Sequence, residues 1–143
     1  VIDGLNIYTV AYQGKISAVD RVNARTLWSR DISSYTGIHI DGARIYVSHT
    51  GGAIYSLALE SGKTYWRQGD LLNRKLTTPL GMGDYVVVGD LEGYIHILDK
   101  ETGTFLGRIQ LDEEPVMRRL VEFETGKFLA QTRNGGLYAI SIQ

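Results

Sequence analysis

Residues 52 to 66 read Gly-Ala-Ile-Tyr-Ser-Leu-Ala-Leu-Glu-Ser-Gly-Lys-Thr-Tyr-Trp. Ile54, Ser56 and Ala58 alternate with Tyr55, Leu57 and Leu59. A two-residue period carried by β-branched and aromatic side chains is that of a strand. Glu60-Ser61-Gly62-Lys63 follows as a tight turn in which Gly62 supplies positive φ, and Thr64-Tyr65-Trp66 opens a second, antiparallel strand. The unit is a β-hairpin closed by Trp66.

The same template recurs from Gly14 through Ile16, Ala18 and Asp20 to Trp28, with Ala24 at the place of Gly62. A third copy runs from Gly93 through Asp99 to Gly103, and a fourth opens at Gly135-Gly136-Leu137-Tyr138. The leading glycines at 14, 52, 93 and 135 are spaced by 38, 41 and 42 residues. Such a period matches the roughly 40 to 45 residues of a four-stranded propeller blade and exceeds that of ankyrin or leucine-rich repeats.

Each hairpin is preceded by another apolar strand after a turn: Asp3-Gly4 before Ile7 to Val10, Asp41-Gly42 before Ile45 to Val47, Gly83-Asp84 before Tyr85 to Val88, and Thr125-Gly126 before Phe128 to Ala130. Ahead of those turns, residues 37–40, 79–82 and 120–123 supply the innermost strand. Four strands per repeat result, A to D from the axis outward. Glycine is 17 of 143 residues, about 12% against a usual ~7%, which suits many tight turns. No window of ten or more residues sustains helical apolar spacing. The expected fold is all-β, a propeller of PQQ-like or WD40-like four-stranded blades, with repeats at about 1–35, 36–74, 75–115 and 116–143. The first repeat has little of strand A and the fourth no strand D, so about four blades, or half of an eight-bladed ring, are expected within a larger propeller.

Fifteen basic and sixteen acidic side chains are interspersed, for a net charge of −1, which excludes a nucleic-acid surface. Arg118-Arg119 is the longest cationic cluster and reads as a solvated or inter-loop pair. There is no cysteine, hence no disulfide or thiolate metal site. No run approaches the ~18 apolar residues of a membrane-spanning helix, and Val1-Ile2-Asp3-Gly4 is neither a signal peptide nor a lipobox.

Candidates for chemistry are few. His39, His49 and His96 occupy unequal template positions in different strands or turns, which argues against a shared metal site. Asp20 and Asp99 share one position at the end of strand C, but in separate blades they cannot form an acid/base pair; each reads as an Asx-turn acceptor. Ser17, Ser33 and Ser48 lack any nucleophile-elbow context. Neither a cofactor nor a metal site is expected. Trp28 and Trp66 recur at one position and read as inter-blade packing, with Gly62 and Gly103 as the small surfaces that receive them. Gly107 replaces the tryptophan in the third repeat, so docking there is expected to be looser or to use Phe105.

The connections from strand D to the next strand A share one face of such a disc: residues 31–36, 69–78 and 111–117. The second is the longest and sets Leu71 and Leu72 beside Arg74 and Lys75. Aliphatics flanked by arginine have the composition of an interface centre, so these four are the candidate partner-binding residues. The competing reading folds the leucines between the blades.

Two resemblances follow. The string from Ala18-Val19-Asp20 to Trp28, and Asp99-Lys100-Glu101-Thr102-Gly103, resemble the Ala-x-Asp-x-x-Thr-Gly-x-x-x-Trp repeat of PQQ-type eight-bladed propellers. Residues 69–79, Gly-Asp-Leu-Leu-Asn-Arg-Lys-Leu-Thr-Thr-Pro, with Val87-Val88-Gly89-Asp90-Leu91-Glu92-Gly93-Tyr94-Ile95-His96, resemble the BamB family of outer-membrane assembly lipoproteins. That resemblance covers the whole chain, as the C-terminal half of the family's propeller. It implies a non-enzymatic scaffold of the BAM complex on the periplasmic face of the outer membrane. It also implies an N-terminal lipid outside this chain and binding to the POTRA domains of BamA. Alternatives are a quinoprotein dehydrogenase fragment or a peptide- or sugar-binding propeller. The Cys-Cys pair, the axial stacking Trp and the calcium-binding carboxylates of the dehydrogenases cannot be assembled from these residues.

Overall fold

The computed structural model describes residues 1–143 apart from the side chain of Arg118, so the expectation of an Arg118-Arg119 pair lies outside the described residues. Short strands joined by glycine-bearing turns build four sheets, and no helix occurs among the described residues. The first blade comprises β1 (Ile2–Asp3), β2 (Asn6–Val10), β3 (Ile16–Asp20) and β4 (Thr26–Arg30). The second comprises β5 (Ile38–Asp41), β6 (Arg44–Ser48), β7 (Ile54–Ala58) and β8 (Thr64–Gln68). The third comprises β9 (Leu80–Met82), β10 (Tyr85–Gly89), β11 (Tyr94–Asp99) and β12 (Phe105–Gln110), and the fourth β13 (Val116–Glu124), β14 (Lys127–Thr132) and β15 (Leu137–Ser141). Within each sheet the strands pair antiparallel in chain order, three of the sheets having four strands and the last three.

The turns follow the sequence logic. Asp20 Oδ1 accepts from the Val22 and Asn23 amides and Asp99 Oδ1 from those of Glu101 and Thr102, closing the C-to-D turns of the first and third blades. Gly62 and Gly103 both take φ of 73°, and Ala24 adopts 58° at the equivalent place. Strands C and D share one bulge in each four-stranded blade, between Ala18 and Val19, Ser56 and Leu57, and Ile97 and Leu98, which registers Trp28 opposite Ala18 and Trp66 opposite Ser56.

The core lies between the blades. One cluster joins Tyr8, Ile16 and Ala18 to Ile38, Ile45 and Val47; a second joins Tyr46, Ile54 and Trp66 to Val86, Val88 and Leu98; a third joins Leu80, Val87 and Ile95 to Val116, Phe128 and Ala130. A Cβ on Gly62 would collide with the Trp28 indole, and one on Gly103 with that of Trp66. Each indole NH donates across its seam, Trp28 to the Leu59 carbonyl at 3.1 Å and Trp66 to that of Lys100 at 2.7 Å. Both tryptophans thus lie in seams between consecutive blades.

Two expectations need correction. Phe105 does not dock on the fourth blade: past the bulge it lies beside His96 of its own blade, with ring centroids 6.0 Å apart, and lines a hollow with Asp70, Leu71 and Arg74 of the connection from the second. Strand A of the fourth blade begins at Val116 rather than at 120, because Val116 pairs with Thr132 and Met117 with Gln131 ahead of a register shift. The last D-to-A connection therefore ends at residue 115, and Met117 belongs to a strand.

Candidate partner-binding surface

The second D-to-A connection, residues 69–79, is long in sequence and closely held in space. Leu71 and Leu76 are buried in the core between the second and third blades. Gly52 leaves room beneath the loop, since a Cβ there would come within 2.5 Å of the Leu71 carbonyl oxygen. The Leu91 amide donates to the Arg74 carbonyl at 2.8 Å, the Thr77 amide to Gly89 at 2.9 Å, and Ser48 Oγ to the Thr77 carbonyl at 2.7 Å. Thr78 Oγ1 donates to the Thr36 carbonyl at 2.7 Å, tying this connection to the first.

A charged cluster fixes the middle of the loop. Arg74 Nη1 donates to Asp90 Oδ2 at 2.9 Å and to Glu92 Oε2 at 3.2 Å. The same Asp90 oxygen lies 2.7 Å from His96 Nε2, while Oδ1 accepts from the Glu92 and Tyr94 amides. Burial by itself would raise the Asp90 carboxyl, but the bonds from His96, the Tyr94 amide, Arg74 and the Glu92 amide outweigh it and hold it below the usual carboxylate range. The bond to Asp90 in turn raises the Arg74 guanidinium further.

Of the four residues read as a partner surface, the structure leaves Leu72 and Lys75 outward and turns the other two to different work. Leu72 is 59% exposed, whereas Leu71 is 5% exposed and plugs the seam. Arg74 is engaged by carboxylates of its own chain. Lys75 is exposed and held at φ 49°, with Asn73 at 61°, a left-handed backbone that non-glycine residues seldom adopt. The anchors on either side impose it.

Lys75 stands in the wall of a hollow of about 950 Å³ at the D-to-A end of the blades, lined also by Tyr35, Asn73, Thr78, Met117 and Arg119. Tyr35 stacks on Tyr12 with centroids 4.3 Å apart, and both rings are largely exposed. Arg119 Nη2 donates to the Ile38 carbonyl at 2.7 Å. No aspartate or glutamate lines the hollow.

The histidines have local roles. His39 Nδ1 accepts from the Gly81 amide at 3.1 Å, and burial lowers its pKa, keeping the ring neutral as that bond requires. His49 Nδ1 accepts from the Gly51 amide at 3.0 Å. Among the described residues no three His, Cys, Asp or Glu side chains are placed to hold a metal ion. The arrangement offers apolar, aromatic and cationic contacts.

Sequence reasoning missed the Arg74-Asp90-His96 cluster and the aromatic pair. Asp90 ending a strand ahead of Glu92-Gly93 was the available signal for the first. Tyr12 and Tyr35 lie in connections of different types, and nothing in the repeat aligns them.

Comparison with known proteins agrees with this architecture. The family model described as outer membrane protein assembly factor BamB matches residues 1–68 and 52–143. A Yersinia pestis protein of that name is 36% identical over 141 residues, covering 99% of this chain and 35% of the relative. The chain thus spans about a third of the length of such relatives. The crystal structure of BamB from Moraxella catarrhalis superposes with a TM-score of 0.89 at 24% identity, covering 99% of this chain and 42% of that one. A quinohemoprotein alcohol dehydrogenase from Comamonas testosteroni reaches 0.64 at 22% identity over 76% of this chain and 20% of its own, a likeness of fold alone. With a family model matched from end to end on a bladed all-β fold, the chain belongs to the family of the outer membrane protein assembly factor BamB.

Proposed function

We propose that this chain forms part of a non-enzymatic scaffold for outer-membrane protein assembly, and that its D-to-A loop face binds the POTRA domains of BamA within the BAM complex. The reading places the protein on the periplasmic side of the outer membrane, held there by a lipid carried outside these residues. Family membership supports the assembly role. The observation that carries the binding face is the anchored loop, which holds Leu72 and Lys75 outward while Leu71, Leu76 and Arg74 are fixed beneath them. A surface prepared in this way loses little conformational entropy on association.

The test is capture of purified BamA POTRA domains by the full-length protein carrying Leu72→Asp. Binding is expected to weaken by more than about 1 kcal/mol with the melting temperature unchanged, as for an interface residue outside the core. Wild-type affinity in the folded variant would remove this loop from the interface.

A further inference from the structure

We infer that the hollow at the D-to-A end binds an acidic, extended segment of a protein partner, with side-chain carboxylates received between Lys75 and Arg119. The inference rests on the reading of this face as a docking surface and adds the chemistry of what docks. Its first support is an imbalance of charge. The cations near the seam between the second and third blades already have carboxylates of their own: Arg44 with Glu101 at 2.7 Å, Lys100 with Asp41 at 2.6 Å, and Arg74 with Asp90 and Glu92. Among the described residues Lys75 and Arg119 are the lysine and arginine that line the hollow, and neither is paired with an acid there. The lining adds His49 and the hydroxyls of Thr36, Ser48 and Thr50, and contains no acidic residue. A partner carboxylate would meet complementary charge without displacing one from this chain.

The second support is shape and preparation. At about 950 Å³ the hollow is at the upper end of the usual size of ligand sites. Lys75 is fixed in a left-handed backbone conformation by anchors on both sides, which makes its direction a property of the fold rather than of a mobile side chain alone. The lining supplies Tyr35 and Met117 as exposed aromatic and apolar surfaces for the side chains that flank a carboxylate, the residue types that enrich protein interfaces. An anionic lipid surface is the poorer match, because such recognition rests on clusters of four to eight basic residues, and among the described residues two line this hollow.

The test uses the full-length protein and terminally blocked peptides of about eight residues, in which Asp alternates with Leu and Tyr. An otherwise identical Asn series, inorganic phosphate and phosphatidylglycerol vesicles are measured alongside by calorimetry. The Asp peptide is expected to bind about tenfold more tightly than its Asn counterpart at low salt, and to lose that advantage as added salt screens the charges. Lys75→Glu should remove the preference, and Lys75→Gln should reduce it, with melting unchanged for both because the side chain is exposed. Equal binding of the Asp and Asn peptides, or a preference that survives Lys75→Glu, would overturn the inference. So would Lys75-dependent binding of phosphate or vesicles without binding of the peptide. Should the peptide preference fail while POTRA capture remains sensitive to Leu72→Asp, this inference falls and the docking reading stands. Capture indifferent to Leu72→Asp sinks the docking reading, and the peptides still decide the hollow.

Discussion

The seam between the first and second blades and the seam between the second and third start from one template and are finished differently. In both, a strand-D tryptophan lies over a turn glycine, its indole NH reaches a carbonyl of the next blade, and a tyrosine ring from strand B leans on it at a little over 6 Å. Even the next polar position is matched: Arg30 donates to the Gly62 carbonyl and Gln68 to that of Gly103. Beyond this lock the seams diverge. The second is crossed by the Arg44-Glu101 and Lys100-Asp41 ion pairs and plugged by both Leu71 and Leu76, while Ile32 alone comes from the connection at the first. Trp66 is accordingly buried where Trp28 is half-buried. The repeat supplies the lock, and the connections between repeats decide how tightly it shuts.

The largest effect that tests this comparison is removal of the indoles. Trp66→Ala should cost about 3 to 5 kcal/mol in urea unfolding, and Trp28→Ala about 2 to 3, because less of its area leaves water. Equal costs would mean that the lock alone sets the strength of a seam. Next in size is Asp90→Asn, expected to cost about 3 kcal/mol at neutral pH by leaving Arg74 and His96 without the carboxylate that joins them. The pH dependence has a definite sign. The Asp90 carboxyl titrates lower in the folded protein than in the unfolded chain, so its contribution is complete above the unfolded value and is lost as pH falls through the lowered folded value. Stability of the wild type should therefore drop more steeply below about pH 4 than that of Asp90→Asn.

The smallest test turns on one oxygen. The Tyr8 hydroxyl accepts from Asn6 Nδ2 at 3.2 Å, whereas that of Tyr46, at the same place in the next blade, is buried with no hydrogen-bond partner among the described residues. Burial pushes the Tyr46 phenol up to about 12. Tyr8→Phe should cost about 0.5 to 1 kcal/mol and Tyr46→Phe should be neutral or stabilising, since an unbonded buried hydroxyl is a liability whose deletion relieves the fold. Thermal melts of the pair would show opposite or unequal shifts. Matching losses would place a hidden partner at Tyr46.

How far the sequence could be read depends on what repeats. Strands B and C, the C-to-D turns and the two indole locks stood out because alternation, Asx acceptors and glycines recur at fixed offsets, as Asp20 and Asp99 do. What did not recur stayed hidden. The early start of β13 was missed because Arg118-Arg119 interrupts the apolar alternation there. The inward turn of Leu71 has counterparts in Ile32 and Leu111, each an aliphatic following strand D and packed into its seam, but at offsets of different length. Arg74 read as a surface cation because its partners lie 16 and 18 residues on, across two strands and a turn, and charge pairing at such separations has no period.

Every sheet uses strands that follow one another along the chain, and this has a consequence in time. Each blade can close by successive hairpins before it meets its neighbour, so the contacts formed first are local and the seams come afterwards. Hydrogen exchange should show that order in reverse. Amides in β6, β7, β10 and β11, paired on both sides and covered by a seam on each face, should exchange slowest. Those of β4, β8 and β12, each the outer edge strand of its sheet, should open first.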